Sequence, residues 1–258
     1  MKFIIKFIYF VALTWSYFTL TTGAKLLSED PQFLTICKRS DPAFGKCFAQ
    51  NLETAFHEWK SGVPGLKSIR SLDPLNFKRV TIRQGNQAGP ISINMELLNA
   101  ALTGIGGTII EDVGSNGKNM DIKLKITVPS FKLTGDYTLK GNILSLALNS
   151  QGKTLMTFEK AVLLLHMQMK LRERDGYEFA EVDKFHLDWI DNGDIHFQFD
   201  NLFNGDKSLE DGAHALLNAN SRTIFDVLQP ALTQTNQILV KDIVTKIFAY
   251  VPSKYLLE

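Results

Sequence analysis

Between Leu75 and Phe199 apolar residues return at every second position, and beyond Asn204-Gly205-Asp206 they return every three or four. That switch of period restricts the chain to a long run of strands followed by helix. Ile91, Ile93, Met95 and Leu97 alternate with Ser92, Asn94 and Glu96. Met120, Ile122, Leu124, Ile126 and Val128 alternate with Asp121, Lys123, Lys125 and Thr127. Leu144, Leu146 and Leu148, then Leu163 to Leu171, Phe185 to Trp189 and Ile195 to Phe199 carry the pattern on. Strands of this kind bury one face and wet the other. Asn116-Gly117, Gln151-Gly152, Asp175-Gly176 and Asn192-Gly193 read as the turns between them, so the middle of the chain is expected to be an antiparallel meander.

Helices flank this region. Phe44, Cys47, Phe48, Asn51, Leu52, Ala55, Phe56 and Trp59 follow a three-and-four repeat, with Asp41 placed to cap, Pro42 in the first turn and Gly62 at the exit. At the far end Leu216, Leu217, Ile224, Val227, Leu228, Ala231, Leu232, Ile238, Leu239, Ile243, Ile247 and Phe248 predict one very long helix over 208–250. It would span roughly 60 Å, with Pro230 as its kink or break. A one-face-wet meander wrapped around a long apolar helix satisfies both burial patterns, which makes the fold class α+β.

The first residues read as a secretory leader. Lys2 and Lys6 precede an uncharged run from Phe7 to Leu20, and Thr22, Gly23 and Ala24 offer a cleavage site. No second apolar run is long enough to span a bilayer, so a soluble, extracellular product is expected. Residues 25–258 carry no Pro/Gly/Ser-rich or charge-rich linker and read as one domain. Taking Lys2 and Lys6 from the 28 basic residues leaves 26 against 27 acidic ones, a near-neutral balance that argues against a polyanion partner such as nucleic acid. The two cysteines, Cys37 and Cys47, are expected to pair as a local disulfide in an oxidising compartment.

The sequence offers little for catalysis. His57, His166, His186, His196 and His214 show no metal-ligand spacing, and no GxSxG elbow supplies a nucleophile. His186 and His196 alternate with aromatic residues and are expected on wet strand faces. Gly104, Gly106 and Gly107 lack the third glycine of a phosphate cradle and fit a bulge or bend, and Gly135 and Gly141 fit strand curvature. Asp188, Asp191 and Asp194 miss the calcium-loop positions, and no N-glycosylation sequon occurs. No cofactor, metal or catalytic residue is assigned.

Several segments together resemble the takeout and juvenile-hormone-binding protein family of secreted insect proteins. They are Cys37 with Cys47; Gly62-Val63-Pro64-Gly65-Leu66 before Ser71-Leu72-Asp73-Pro74-Leu75; and Val128-Pro129-Ser130-Phe131 before Gly135-Asp136-Tyr137 and Gly141. Asn201 to Lys207, Leu216-Leu217-Asn218, Pro230 and Tyr250-Val251-Pro252 complete the set. Lacking a second disulfide and a tighter first cysteine spacing, the chain resembles takeout more than the hormone carriers proper. The resemblance implies a tubular lipid-binding fold, a curved antiparallel sheet rolled around the long helix, with a hydrophobic tunnel opening near the first helix.

It also implies a secreted carrier of a small apolar ligand, such as a juvenile-hormone-like terpenoid or a fatty acid, linked to circadian or feeding regulation. Phe48, Leu52, Phe131, Tyr137, Met167, Met169, Phe197, Leu228 and Leu232 are then candidate tunnel-lining residues, although the apolar pattern alone favours packed core for any one of them and only the resemblance argues for a tunnel. Tyr137 could offer the ligand one polar contact, and Met167 and Met169 an adaptable wall. The rival expectation is a signalling or receptor-docking protein of the same fold whose tunnel is filled by side chains.

Overall fold

The computed structural model describes residues 26–85, 91–144 and 146–258. The leader reading of residues 1–24 lies outside the described residues. Among those described, no helix is long and apolar enough to cross a membrane.

Helix α1 spans Phe44–Glu58 and starts later than Asp41-Pro42 suggested. The Asp41 carboxylate accepts the Ala43 N–H at 2.7 Å, so it organises the turn that leads into the helix rather than capping it. At the other end Gly62 takes φ +110° and its N–H donates to the Trp59 carbonyl, an exit that favours glycine. Cys37 and Cys47 form the expected disulfide, which ties the N-terminal segment to the first turn of α1. That segment pairs with the chain's end through Cys37 N–H to the Leu256 carbonyl and Glu258 N–H to the Cys37 carbonyl.

The strands form two sheets instead of one meander. One holds β1 (Leu75–Gln84), β2 (Ile91–Thr103), β5 (Phe131–Ile143), β6 (Leu146–Phe158) and β9 (Ile195–Phe199), in the order β1-β2-β5-β6-β9. The other holds β3 (Ile109–Asp112), β4 (Asp121–Val128), β7 (Ala161–Arg174) and β8 (Tyr177–Asn192), in the order β3-β4-β7-β8. Sequential antiparallel pairs therefore alternate between sheets, and the chain crosses after β2, β4, β6 and β8.

Local chemistry makes these crossings. After β2, Gly104 takes φ +92° and opens a 3-10 turn, Ile105–Gly107, whose Gly104 and Gly106 amides both donate to the Asp73 carboxylate at 3.0 and 2.7 Å. The glycines thus form the bend between sheets and not a bulge within a strand. Two turn readings also move. Gln151-Gly152 lies inside β6, where a Cβ on Gly152 would run into the Asp200 carbonyl, and the reversal falls at Leu144, with φ +54°. Asn192-Gly193 is a crossing to the other sheet, not a hairpin tip. Gly141, at φ +134° beside the Ser92 carbonyl, does let β5 bend. His186 and His196 are exposed on their strands, as alternation requires.

The long helix is broken at Asn220 and not at Pro230. Helix α2 spans Lys207–Ala219, capped by the Asp206 carboxylate on Leu209 N–H at 3.1 Å, and α3 spans Ser221–Phe248. At the break the Asn220 backbone N–H is shared between the Leu216 and Leu217 carbonyls at 3.2 and 3.3 Å, and its side-chain amide donates a further bond to the Leu216 carbonyl at 2.8 Å. Pro230 sits inside α3 and removes one backbone donor; packing of the 28-residue helix against both sheets holds it together across that gap.

Side chains of α2 and α3 close one edge of each sheet. On β9, Asn218 accepts the Phe197 N–H at 2.7 Å and donates to its carbonyl at 3.1 Å, while His214 Nε2 accepts the Phe199 N–H at 3.0 Å. At the end of β8, Arg222 donates to the Asn192 carbonyl at 3.0 Å. Further along, Gln229 donates to the Trp189 carbonyl at 2.8 Å and Gln237 accepts the Leu187 N–H at 3.2 Å. Asn218→Ala strands both polar groups of Phe197, so a loss of about 2 kcal/mol is expected in urea unfolding; a change below about 0.5 kcal/mol would show that the β9 edge is held by packing alone. Replacing both Cys37 and Cys47 with Ser is expected to lower stability by about 2–3 kcal/mol, the loop-entropy value for so short a ring, measured the same way.

Candidate ligand-binding cavity

The inward faces of both sheets, α1 and α3 do not meet at the centre of the roll; they surround a cavity of about 350 Å³. Alternation supplies its sheet walls. Leu75, Phe77, Leu97, Phe131 and Leu133 come from the five-stranded sheet, and Leu124, Ile126, Leu163, Leu165, Leu187 and Trp189 from the four-stranded one. Helix α3 contributes a stripe at three-and-four spacing, Leu232, Thr235, Asn236, Leu239, Val240, Ile243, Val244 and Ile247, and α1 contributes Asn51, Leu52, Ala55 and Phe56. A second space of about 80 Å³ lies toward α2, lined by Ile93, Met156, Phe197, Leu217, Ile224 and Leu228 among others. Ile82, Leu133, Phe158 and Leu232 line both spaces and form the partition between them.

No charged residue lines either space. The polar side chains on the large cavity are few, and the fold uses most of them. Asn51 accepts the Thr35 N–H at 2.9 Å, Thr108 donates to the Ile105 carbonyl, and Thr235 donates to the Ala231 carbonyl at 2.8 Å. The Asn236 side chain has no hydrogen-bond partner among the described residues. The indole N–H of Trp189 is buried without an acceptor. Among the described residues no group of three or more His, Cys, Asp or Glu side chains could hold a metal ion.

Of the residues singled out from the sequence, Leu52, Phe131 and Leu232 stand on the large cavity, and Phe197, Leu228 and again Leu232 on the small one. Four do not line either. Phe48 is fully buried and its ring stacks between Phe44 at 5.6 Å and Phe248 at 6.2 Å. Met167 and Met169 share the inward face of β7 with Leu163 and Leu165, but they lie past the cavity's end, in the packed cluster with Phe44, Phe48, Ile122 and Phe248. Tyr137 packs edge-on against Phe199 at 5.0 Å and donates its hydroxyl to the Asp200 carbonyl at 3.0 Å. Burial, reinforced by the Glu210 and Asp200 carboxylates, pushes the pKa of that hydroxyl up and keeps it a donor. Its polar contact is therefore spent on the fold.

The sequence reading missed Asn236, Trp189 and the β1 residues Leu75 and Phe77 as cavity wall. Helical spacing from Leu232 would have pointed at Asn236, since 232, 236, 239, 243 and 247 form one stripe.

Comparison with known proteins agrees with this geometry. The crystal structure of Epiphyas postvittana Takeout 1 has the same fold, with a TM-score of 0.72 at 20% sequence identity, covering 86% of this chain and 99% of that one. The "Circadian clock-controlled protein daywake" of Drosophila melanogaster is 22% identical over 228 residues, and that of Drosophila yakuba 20% over 229, each covering 86% of either chain. The model of the family described as "Haemolymph juvenile hormone binding protein (JHBP)" matches residues 15–258. With nearly its whole length matched, this chain belongs to the haemolymph juvenile hormone binding protein family.

Proposed function

We propose that the chain is a secreted carrier that encloses a small apolar ligand, a juvenile-hormone-like terpenoid or a molecule of similar shape, and does no chemistry on it. The observation that carries this reading is the 350 Å³ cavity walled by both sheets and α3 with no charged side chain on it. By the measured cost of residual cavities, about 24 cal/mol per Å³, leaving that volume empty would cost about 8 kcal/mol. That is as much as the whole stability of many domains. A greasy guest removes the cost, and enclosing about 400 Å² of it at about 25 cal/mol per Å² gives roughly 10 kcal/mol before association costs, enough for micromolar to nanomolar affinity.

Secretion is supported by the leader-like residues 1–24 and by the Cys37–Cys47 disulfide, which belongs to an oxidising compartment. The description of the daywake relatives as circadian clock-controlled supports extending the proposal to a role under circadian or feeding control. The rival reading, a receptor-docking protein with a filled tunnel, fits the open space in the roll less well.

Native mass spectrometry and lipid extraction of the secreted protein test the proposal: a reproducible apolar adduct is expected. A bare mass together with no uptake of the fluorescent apolar probe N-phenyl-naphthylamine would overturn it. Filling the cavity gives a second check. Leu163→Trp, pointing from β7 into the space, is expected to weaken probe binding about tenfold while shifting stability by less than about 2 kcal/mol, since the added ring has room. Unchanged probe affinity in a folded variant would place the guest elsewhere.

A further inference from the structure

Most of the polar groups on the cavity wall are committed to the fold; the exceptions are the Trp189 indole N–H on β8 and the Asn236 amide on α3. Asn51 is held by the N-terminal segment through Thr35, and the Thr108 and Thr235 hydroxyls are each spent on a carbonyl. On α3 the neighbouring amides have structural duties as well, since Gln229 and Gln237 bond the edge of β8. Beside Thr235, whose hydroxyl is spent on Ala231, Asn236 interrupts a stripe of Leu232, Leu239, Val240 and Ile243, and its amide bonds to nothing among the described residues. For the helix itself leucine would be the better residue there, because asparagine is a poor helix former and leaves a polar group partly buried.

We infer that Asn236 is the polar recognition residue of the cavity, and that it selects a neutral ligand with an apolar body and one oxygen function, a ketone, ester or alcohol, over both a bare hydrocarbon and a carboxylate. The inference rests on the carrier reading and adds to it the class of ligand. An amide offers two N–H donors and an acceptor, so it can donate to a carbonyl or ester oxygen and exchange a bond with a hydroxyl. A carboxylate would enter a space with no cationic side chain on its wall, and a buried charge without a partner is strongly disfavoured. The unpaired Trp189 N–H, on the β8 strand that α3 packs against, shows that this same side of the wall has more donors than the protein satisfies.

The test is displacement of N-phenyl-naphthylamine from the purified full mature chain by three ligands of equal carbon number: tridecane, methyl undecyl ketone and tridecanoate. The unaltered protein is expected to prefer the ketone about tenfold over tridecane, the worth of one hydrogen bond at ~1.4 kcal/mol, and to bind tridecanoate at least tenfold more weakly than the ketone. Asn236→Leu is expected to collapse the ketone-to-tridecane ratio to below about twofold. Asn236→Ala removes the amide without adding bulk and serves if the leucine variant fails to unfold cooperatively in urea. A ratio that survives both substitutions, or that is absent in the unaltered protein, overturns the role of Asn236 and leaves the carrier reading standing. A tridecanoate affinity equal to that of the ketone overturns the neutral-ligand class. If the unaltered protein takes up no probe at all, the carrier reading falls, and this inference with it.

Discussion

Each of the two sheets ends on one side in a strand, β9 or β8, whose edge α2 and α3 cover, and that covering determines the rest of this molecule. β9 and β8 end their sheets with backbone groups that need partners. They find them in His214, Asn218, Arg222, Gln229 and Gln237, which follow one another along the two helices at intervals of four, four, seven and eight residues. Hydrogen bonds made by side chains reach farther than those of a strand ladder, so the helices stand off from the edges and join the sheets into a roll. Inward from that polar line, the same helix presents Leu232 to Ile247 to the interior. One helix thus closes the seam with amides on one face and walls a cavity with aliphatic groups on the next.

That arrangement also explains where packing is dense and where it is not. Toward one end of the roll Phe44, Phe48 and Ile122 pack with Met167 and Met169 behind Phe248 and Val251, which face the cavity, and the disulfide and the pairing of Cys37 with the last residues pin the ends together. At the α2 end Tyr137, Phe199 and Leu202 close the other cluster. Between the two, the sheets are held apart by β-strand length and curvature, and side chains of leucine and isoleucine size do not reach across. Ile82, Leu133, Phe158 and Leu232 come nearest to bridging, and they divide the space into a large and a small part.

Much of this was legible in the sequence. The change of period near Asn204 separates strands from helices, and alternation puts Leu163, Leu165, Leu187 and Trp189 indoors and His186 and His196 outdoors. Periodicity reports which face is buried but not against what, so Met167 and Leu163, identical in pattern, end in packed core and cavity wall respectively. The first crossing between sheets was hidden because its bend depends on Asp73, some 30 residues before the glycines whose amides it gathers. The helix break was misplaced for a local reason: Pro230 loses one bond in a helix that packs against both sheets, whereas at Asn220 the backbone N–H is shared between two carbonyls and the side chain folds back onto the last turn of α2.

A protein built around a cavity would, under the proposed carrier function, link its own stability to its guest. Any guest that binds the folded form alone adds RT ln(1 + [L]/Kd), about 2.7 kcal/mol at a hundredfold excess over Kd, to a fold that otherwise carries the cost of unfilled apolar space. The α3 wall is where that linkage would act, because residues from Leu232 to Ile247 line the cavity while Gln229 and Gln237 hold the β8 edge. A filled cavity supports the helix from within and keeps those amides in register with the strand; emptying it removes contacts from one side of the helix while the seam bonds remain on the other. Under the carrier reading, occupancy of the cavity and integrity of the β8 seam are coupled through a single element, the helix that walls the one and covers the other.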